Sequence, residues 1–289
     1  MPAFTPVALI GRHDGQKSTE LINALGDFLV ERGCEVMVES ATAGVNGITR
    51  FPAVDYAGVG ARAKLAVVLG GDGSMLNAAR QLAPYRVPLV GVNQGRLGFM
   101  TDIAQKHMLE SMAQIMEGRY STEERTMLSA EALRGSDRLL TTLALNDVVV
   151  SKGAVGRLIE FLIHIDGQFV YDLRLDGLIV ATPTGSTAYA LSSNGPIMHP
   201  AVSAFVLVPI SPHTLSNRPI AVGDGSKIEL TLRHAVDAQL HFDGQPQFEL
   251  REGDKVAIAR SEHSIRFVHP PGYNYFEMLR QKLHWSEMY

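Results

Sequence analysis

The pentapeptide Gly70-Gly71-Asp72-Gly73-Ser74 limits the architecture more than any other stretch of the chain. An apolar run, Leu65-Ala66-Val67-Val68-Leu69, precedes it, and a run with helical spacing, Met75-Leu76-Asn77-Ala78-Ala79-Arg80, follows. Strand, glycine turn and helix in that order form the building unit of an α/β fold. Glycines let the backbone approach a ligand closely, and the N–H groups of such a turn, with the helix N-terminus behind them, suit phosphate. A carboxylate at Asp72 repels a bare phosphate, so its presence requires a task, either holding a metal ion or taking a proton. The turn therefore reads as phosphoryl transfer rather than nucleotide docking. The plain alternative is an acid capping a helix after an ordinary strand exit.

The surrounding residues extend this pattern. Val7–Gly11 reads as a strand, Lys17–Arg32 as a helix with Leu21, Ile22, Leu25, Phe28 and Leu29 on one face, and Glu35–Glu39 as a strand. Residues 40–63 read as irregular. After the turn a helix is expected to about Tyr85, then a strand at Val87–Val92 and a helix at His107–Glu117. From about Tyr120 strand-like runs dominate, at Leu143–Ser151, Leu158–Ile165, Phe169–Leu175, Gly177–Thr182, Ala204–Pro209, Ile228–Leu232, Gln239–Phe242 and Lys255–Ala259. Asp166-Gly167 and Asp243-Gly244 are hairpin signals among them. The expected architecture is an α/β domain over residues 1–120 with a parallel Rossmann-like sheet, and a β-rich, sandwich-like domain over 121–271. Within 272–289, the helical spacing of Tyr275–Trp285 suggests a tail helix returning to the first domain.

A net charge of −4 offers no global field for nucleic acid or an anionic membrane. Cys34, the only cysteine, allows neither an intrachain disulfide nor a cysteine zinc site, which fits a reducing cytoplasm. The N-terminus carries no signal-like pattern, and the apolar run near Ala201–Ile210 is too short to span a bilayer. No two histidines have ligand spacing, and His234 and His241 read as surface or satisfied side chains. The Gly-x-x-x-x-Gly-Lys-Ser/Thr loop and the protein-kinase motifs are missing. Gly58-x-Gly60-x-x-Ala63 matches the dinucleotide pattern but precedes a strand instead of following one, which marks it as a decoy.

Further segments carry polar groups where packing does not ask for them. Gly91-Val92-Asn93-Gln94-Gly95-Arg96-Leu97-Gly98-Phe99 is a second glycine-rich turn after a strand, expected at the same carboxyl edge as the first, although taken alone it reads as an ordinary strand exit. Asn146-Asp147 interrupts an apolar β run; the pair offers donor and acceptor edges, or else marks a strand end or bulge. In Asp176–Pro196 a buried strand leads into Thr182-Pro-Thr-Gly-Ser-Thr187, whose hydroxyls can cap the short helix at Ala188–Ser193 or meet a polar ligand, with Tyr189 able to stack on a base. Arg157, Arg174 and Gln245 are ordinary surface residues on these grounds alone.

Taken in order and spacing, the two glycine turns, the Asn-acid pair, Asp-Gly…Thr-Pro-Thr-Gly-Ser-Thr-Ala-Tyr and Asp243-Gly244-Gln245 resemble the NAD kinase family, bacterial type, over nearly the whole chain. Two departures are mild: Ser74 stands where Thr is frequent, and Asp147 where Glu is frequent. The resemblance implies ATP-dependent phosphorylation of the 2′-hydroxyl of the adenosine ribose of NAD to give NADP, with Asp72 as proton acceptor. It implies NAD binding by Asp72, Gly73, Asn146, Asp147, Arg157, Arg174, Asp176, Thr187, Ala188, Tyr189, Ala190, Leu191, Ser192 and Gln245. A divalent cation, expected to be Mg²⁺, would neutralise the triphosphate. It further implies a homodimer or homotetramer. Two other readings stand beside it: a lipid or sugar kinase sharing the first turn, and a non-catalytic NAD-binding module. The second has no need of an acid inside a phosphate turn.

Overall fold

The computed structural model describes residues 2–11, 16–95, 98–153, 158–212, 217–234 and 237–285. They form two compact units, residues 1–124 with 264–289, and residues 125–263.

The first unit alternates strands and helices: β1 Val7–Gly11, α1 Gln16–Glu31, β2 Val36–Glu39, α2 Ser40–Asn46, β3 Ala53–Val54, α3 Tyr56–Arg62, β4 Leu65–Gly70, α4 Asp72–Leu82, β5 Leu89–Asn93, β6 Ile103–Ala104 and α5 Met108–Met116. The strands pair in parallel in the order β6-β5-β4-β1-β2-β3. Alternate residues of β1, β2, β4 and β5, among them Leu9, Val38, Val67 and Val90, pack against Ile22, Leu25 and Leu29 of α1 and Met112 and Ile115 of α5. Ala8, Ala66 and Val68, which point to the opposite face, are equally buried, as are Met75, Ala78, Ala79 and Leu82 of α4. Burial on both faces is why β4 reads as an unbroken apolar run.

Residues 40–63, expected to be irregular, hold two helices. The Glu39 carboxylate accepts the Ala41 and Thr42 amides, both at 2.8 Å, and starts α2. The Asp55 carboxylate accepts the Gly58 amide at 2.8 Å and starts α3. Each side chain meets amides left without intrahelical partners, so seven-residue helices of modest propensity hold. Gly58 and Gly60, the decoy glycines, lie within α3.

The chain then runs through β7 Ser121–Arg134, β8 Asp137–Ala144, β9 Asp147–Lys152, β10 Ile159–Ile165, β11 Gln168–Leu175, β12 Gly177–Ala181, α6 Tyr189–Ser192, β13 Ala204–Ile210, β14 Ile220–Gly223, β15 Ile228–His234, β16 Ala238–Phe242, β17 Gln245–Leu250, β18 Lys255–His269 and α7 Tyr275–Leu283. The first four residues of β7, the last six of β18 and all of α7 belong to the first unit. Within the second unit β11, β10, β15 and the start of β18 form an antiparallel sheet. A second sheet has the order β14-β13-β12-β9-β16-β17, also antiparallel. Phe161, Ile163 and Leu230 of the first sheet share one apolar core with Val148, Val180, Phe205 and Leu240 of the second, giving the sandwich. The far face of the six-stranded sheet is also covered, since Val149, Ile179 and Val206 pack with Ala190 and Met198. Both Asp-Gly pairs adopt positive φ, 53° and 77° at residues 166 and 167 and 49° and 75° at 243 and 244, as two-residue hairpins require.

The expected strand Leu143–Ser151 is two strands. β8 ends at Ala144, β9 begins at Asp147, and Leu145-Asn146 form a bend between them.

Candidate active site

Two constellations carry the polar chemistry, one in each unit. In the first unit, β4 and β5 are parallel neighbours with Gly70 opposite Asn93, so both glycine turns leave one edge of the sheet side by side. The first turn is tighter than expected, because Asp72–Ser74 already belong to α4. Gly71 caps the helix in extended conformation, and Asp72 is its first residue. A carboxylate there is favoured by the positive end of the helix dipole. A Cβ at Gly71 or Gly73 would meet no atom within 4 Å, so the backbone of the turn stands open on both sides of Asp72.

Asp72 is held by the second turn. Its Oδ2 accepts the Phe99 amide at 2.8 Å, and its Oδ1 accepts the Met100 amide at 3.1 Å. Gly98 makes this approach possible, since a Cβ there would lie 2.0 Å from Asp72 Oδ1. Asn93 shapes the same turn: its Oδ1 accepts the Gly95 amide at 2.6 Å, and its Nδ2 donates to Thr101 Oγ1 at 2.9 Å. Arg96 and Leu97 of this motif lie outside the described residues. Each hydrogen bond to a charged group contributes about 1.5–3 kcal/mol, so the Asp72 carboxylate is fixed before any substrate arrives.

In the second unit, three segments meet at one edge of the six-stranded sheet. Asp147 pairs with Ala181, and Val148 with Phe242, which brings the bend at 145–146, the turn after β12 and the Asp243-Gly244 hairpin together. The Asp243 carboxylate organises them: it accepts the amides of Leu145 at 3.2 Å, Asn146 at 2.7 Å and Asp147 at 3.3 Å. The Asp243 amide returns a bond to the Asp147 carbonyl at 3.0 Å. Thr182 donates its hydroxyl to the Leu145 carbonyl at 2.5 Å and its amide to the Asn146 carbonyl at 2.9 Å. Gly185 packs directly on Asn146, where a Cβ would fall 2.0 Å from the carbonyl oxygen.

This edge holds unspent polar capacity. Asn146 is 8% exposed, and its Oδ1 has no hydrogen-bond partner. Asp147 is 3% exposed; burial, and then the neighbouring Asp243 carboxylate, push its carboxyl up to about 7. A buried acceptor without a partner costs about 1–3 kcal/mol, which a ligand donor at this place would recover.

The other expected site residues fall into two groups. Thr187 ends a helical turn at Gly185–Thr187 and donates its hydroxyl to the Thr184 carbonyl at 3.1 Å. Ala188 precedes α6, Tyr189 opens it with its ring 46% exposed, and Leu191 and Ser192 are at least partly accessible. Ala190 is fully buried, with its methyl in the apolar cover of the sheet and its carbonyl accepting the Ser193 and Gly195 amides. Gln245 is exposed directly after the Asp243-Gly244 turn. Thr187 follows Gly185, which packs on Asn146, and Gln245 pairs with Phe242, so both lie close to the Asn146-Asp147 edge. Arg174 and Asp176 do not. Asp176 precedes β12, so that strand's five residues, about 17 Å, separate it from Thr182. Arg174 pairs with Glu160 at 3.6 Å, and Asp176 with Lys152 at 2.7 Å. Arg157 lies outside the described residues.

Asp243 was visible in the sequence as half of a hairpin signal and as the first residue of the Asp243-Gly244-Gln245 motif, but its task as the anchor of Asn146-Asp147 was not. The available clue was an acid at a position that turn geometry alone fills equally well with Asn. Among the described residues, His241, with a ring nitrogen 3.2 Å from Ser151 Oγ, and His234, 3.7 Å from Glu252, take part in no metal cluster.

A doubly covered parallel sheet with an oriented acid in an open phosphate turn, joined to a β-sandwich presenting buried polar groups, defines a nucleotide phosphotransferase with an alcohol as acceptor. Residues 7–120 match the family model of the ATP-NAD kinase N-terminal domain, and residues 145–270 that of the ATP-NAD kinase C-terminal domain. The chain belongs to the NAD kinase family. It is 54% identical to the NAD kinase of Azoarcus sp. (strain BH72) over 284 residues, covering 98% of this chain and 97% of that one. It is 51% identical to the NAD kinase of Thiobacillus denitrificans (strain ATCC 25259 / T1) over 284 residues, covering 98% of both chains. Among solved structures, yeast NADH kinase complexed with NADH is similar with a TM-score of 0.88 at 25% identity, over 100% of this chain and 90% of that one. An NAD kinase from Archaeoglobus fulgidus in complex with ATP shares the fold, with a TM-score of 0.74 at 24% identity over 96% of this chain and 98% of that one.

Proposed function

We propose that this chain transfers the γ-phosphoryl group of ATP to the 2′-hydroxyl of the adenosine ribose of NAD, with Asp72 as proton acceptor. The observation that carries this reading is the Asp72 carboxylate, fixed by the Phe99 and Met100 amides at the head of α4 beside the open turn at Gly71 and Gly73. A ribose hydroxyl is a poor nucleophile at neutral pH. A carboxylate in hydrogen-bond reach orients it and takes its proton as the phosphoryl group arrives in line. The amides of the turn and the N-terminus of α4 face the phosphate oxygens.

Asn146 and Asp147 are proposed to hold the adenosine end of NAD, with Asn146 Oδ1 accepting a hydrogen bond and Asp147 meeting ribose hydroxyls. Thr187 through Ser192 and Gln245 are proposed to complete that contact. Arg157, Arg174 and Asp176 enter as NAD ligands on family resemblance alone. The described residues form no group of three or more His, Cys, Asp or Glu side chains able to hold a metal ion. The divalent cation, Mg²⁺, is proposed to arrive with the nucleotide, carried by the triphosphate.

No helix among the described residues is long and apolar enough to cross a membrane. Cytoplasmic residence is proposed from the single, buried, free Cys34. A homodimer or homotetramer is proposed from the family, and light scattering at a multiple of 31.4 kDa would support it.

The test is a coupled assay in which the protein, ATP, Mg²⁺ and NAD are mixed and NADP is read with an NADP-specific dehydrogenase. NADP formed by the wild type and lost in Asp72→Asn supports both the reaction and the role of Asp72. Near-normal turnover in Asp72→Asn would falsify the assignment of Asp72 as the base.

A further inference from the structure

His269, the last residue of β18, is 3% exposed and takes no part in the chemistry above. Its Nδ1 lies 2.9 Å from Asp102 Oδ2, and its Nε2 lies 3.5 Å from Glu123 Oε2. Tyr273 stacks on the ring face, with centroids 3.7 Å apart and planes 5° from parallel. Phe267 meets the ring edge-on at 6.3 Å. The titratable groups facing the imidazole are therefore Asp102 after the second glycine turn, Glu123 on β7 and Tyr273 after β18. An imidazole between two carboxylates satisfies both only when each nitrogen carries hydrogen.

Asp102 is two residues beyond Met100 and three beyond Phe99, the two amides that grip Asp72. Thr101, between them, takes the hydrogen bond from Asn93. The segment is thus anchored toward β5 by Thr101 and toward β18 by Asp102. We propose that His269 is a positioning residue for phosphoryl transfer: clamped between Asp102 and Glu123, it holds segment 99–102 so that its amides keep the Asp72 carboxylate aimed. This inference rests on the reading of Asp72 as proton acceptor.

Burial alone would lower the His269 pKa, but bonding to Asp102 and the charges of Asp102 and Glu123 outweigh it, and the pKa is raised above the ordinary histidine value. The ring therefore keeps its proton to higher pH than an ordinary histidine does, and the clamp is released as pH rises past that point. Turnover should fall on an alkaline limb that follows the ring, while KM for NAD and ATP stays constant.

The experiment measures kcat and both KM values across pH for wild type, His269→Gln, Asp102→Asn and Asp72→Asn. Thermal unfolding is recorded beside them, and NMR follows the wild-type His269 ring proton. The expected result is a kcat loss of roughly tenfold in His269→Gln and Asp102→Asn with unchanged KM, as a displaced base predicts. In addition, the wild-type alkaline limb should coincide with the His269 titration and be absent from His269→Gln. Folded variants with wild-type kcat, or full wild-type turnover above the His269 titration, overturn the inference. Should both variants fail to fold, the wild-type titration and pH profile decide alone. An inactive Asp72→Asn with a normal His269→Gln sinks only this inference. An active Asp72→Asn sinks the reading beneath it, and the role of His269 as positioner of a base with it.

Discussion

At the scale of single residues, the proposed function turns on where one carboxylate is held. General-base help contributes about 10²–10⁴-fold, so Asp72→Asn should lose that much turnover while remaining folded and able to bind NAD, as kinetics and calorimetry would reveal. Gly98→Ala tests position instead of chemistry. Its methyl would fall 2.0 Å from Asp72 Oδ1, so the acid must move. A shift near 1 Å predicts a kcat loss on the order of 10²-fold with circular dichroism unchanged; a fully active Gly98→Ala would show that the contact between the turns does not set the base. Asp72 was legible in the sequence because an acid inside a phosphate turn is chemically out of place. Its partners were not, because Phe99 and Met100 contribute main-chain amides, and any residue but proline presents one.

At the scale of elements, the site edge of the six-stranded sheet depends on a turn held from outside. Asp243 satisfies three amides of the bend that carries Asn146 and Asp147. Asp243→Ala strands them, and should cost about 2–4 kcal/mol in denaturant unfolding while raising the KM for NAD. An unchanged KM would mean that the bend keeps its shape without its anchor. Elements with strong periodicity, such as α1, α5 and β12, were readable almost to their ends, because one face or both faces are apolar. The helices α2 and α3 were not, since their stability comes from Glu39 and Asp55 capping short Gly- and Ala-rich segments. The bend at Leu145-Asn146 was hidden by apolar neighbours on both sides, and the polar pair was the one visible sign of it.

At the scale of the whole molecule, two buried groups tie stability to pH in the same direction. Asp147 holds its proton to about pH 7 in the fold but only to the usual carboxylate range when unfolded. The folded state therefore binds more protons between about pH 4 and 7, and the stability contributed by Asp147 falls as pH rises through that window. The wild type should lose on the order of 4 kcal/mol across it relative to Asp147→Asn, read from urea unfolding at several pH values. A constant difference between the two proteins would refute the shift. His269, also raised, contributes stability that is complete below about pH 6.5 and lost as pH climbs through its folded value. Neither window could be read from the sequence, because nothing in it says that Asp147 lies beside Asp243 or His269 between two acids.

The first unit is assembled from two separated stretches of chain, 1–124 and 264–289, and its core includes Val268. On the ribosome, the strand and ring that finish it emerge after all of residues 125–263. At about 5–20 residues per second, the nascent first unit waits roughly 7–28 s for them. During that interval Asp102 has no His269 to meet. Translation itself thus imposes an order on this chain: its sandwich can be complete while the half bearing Asp72 still lacks its last strand.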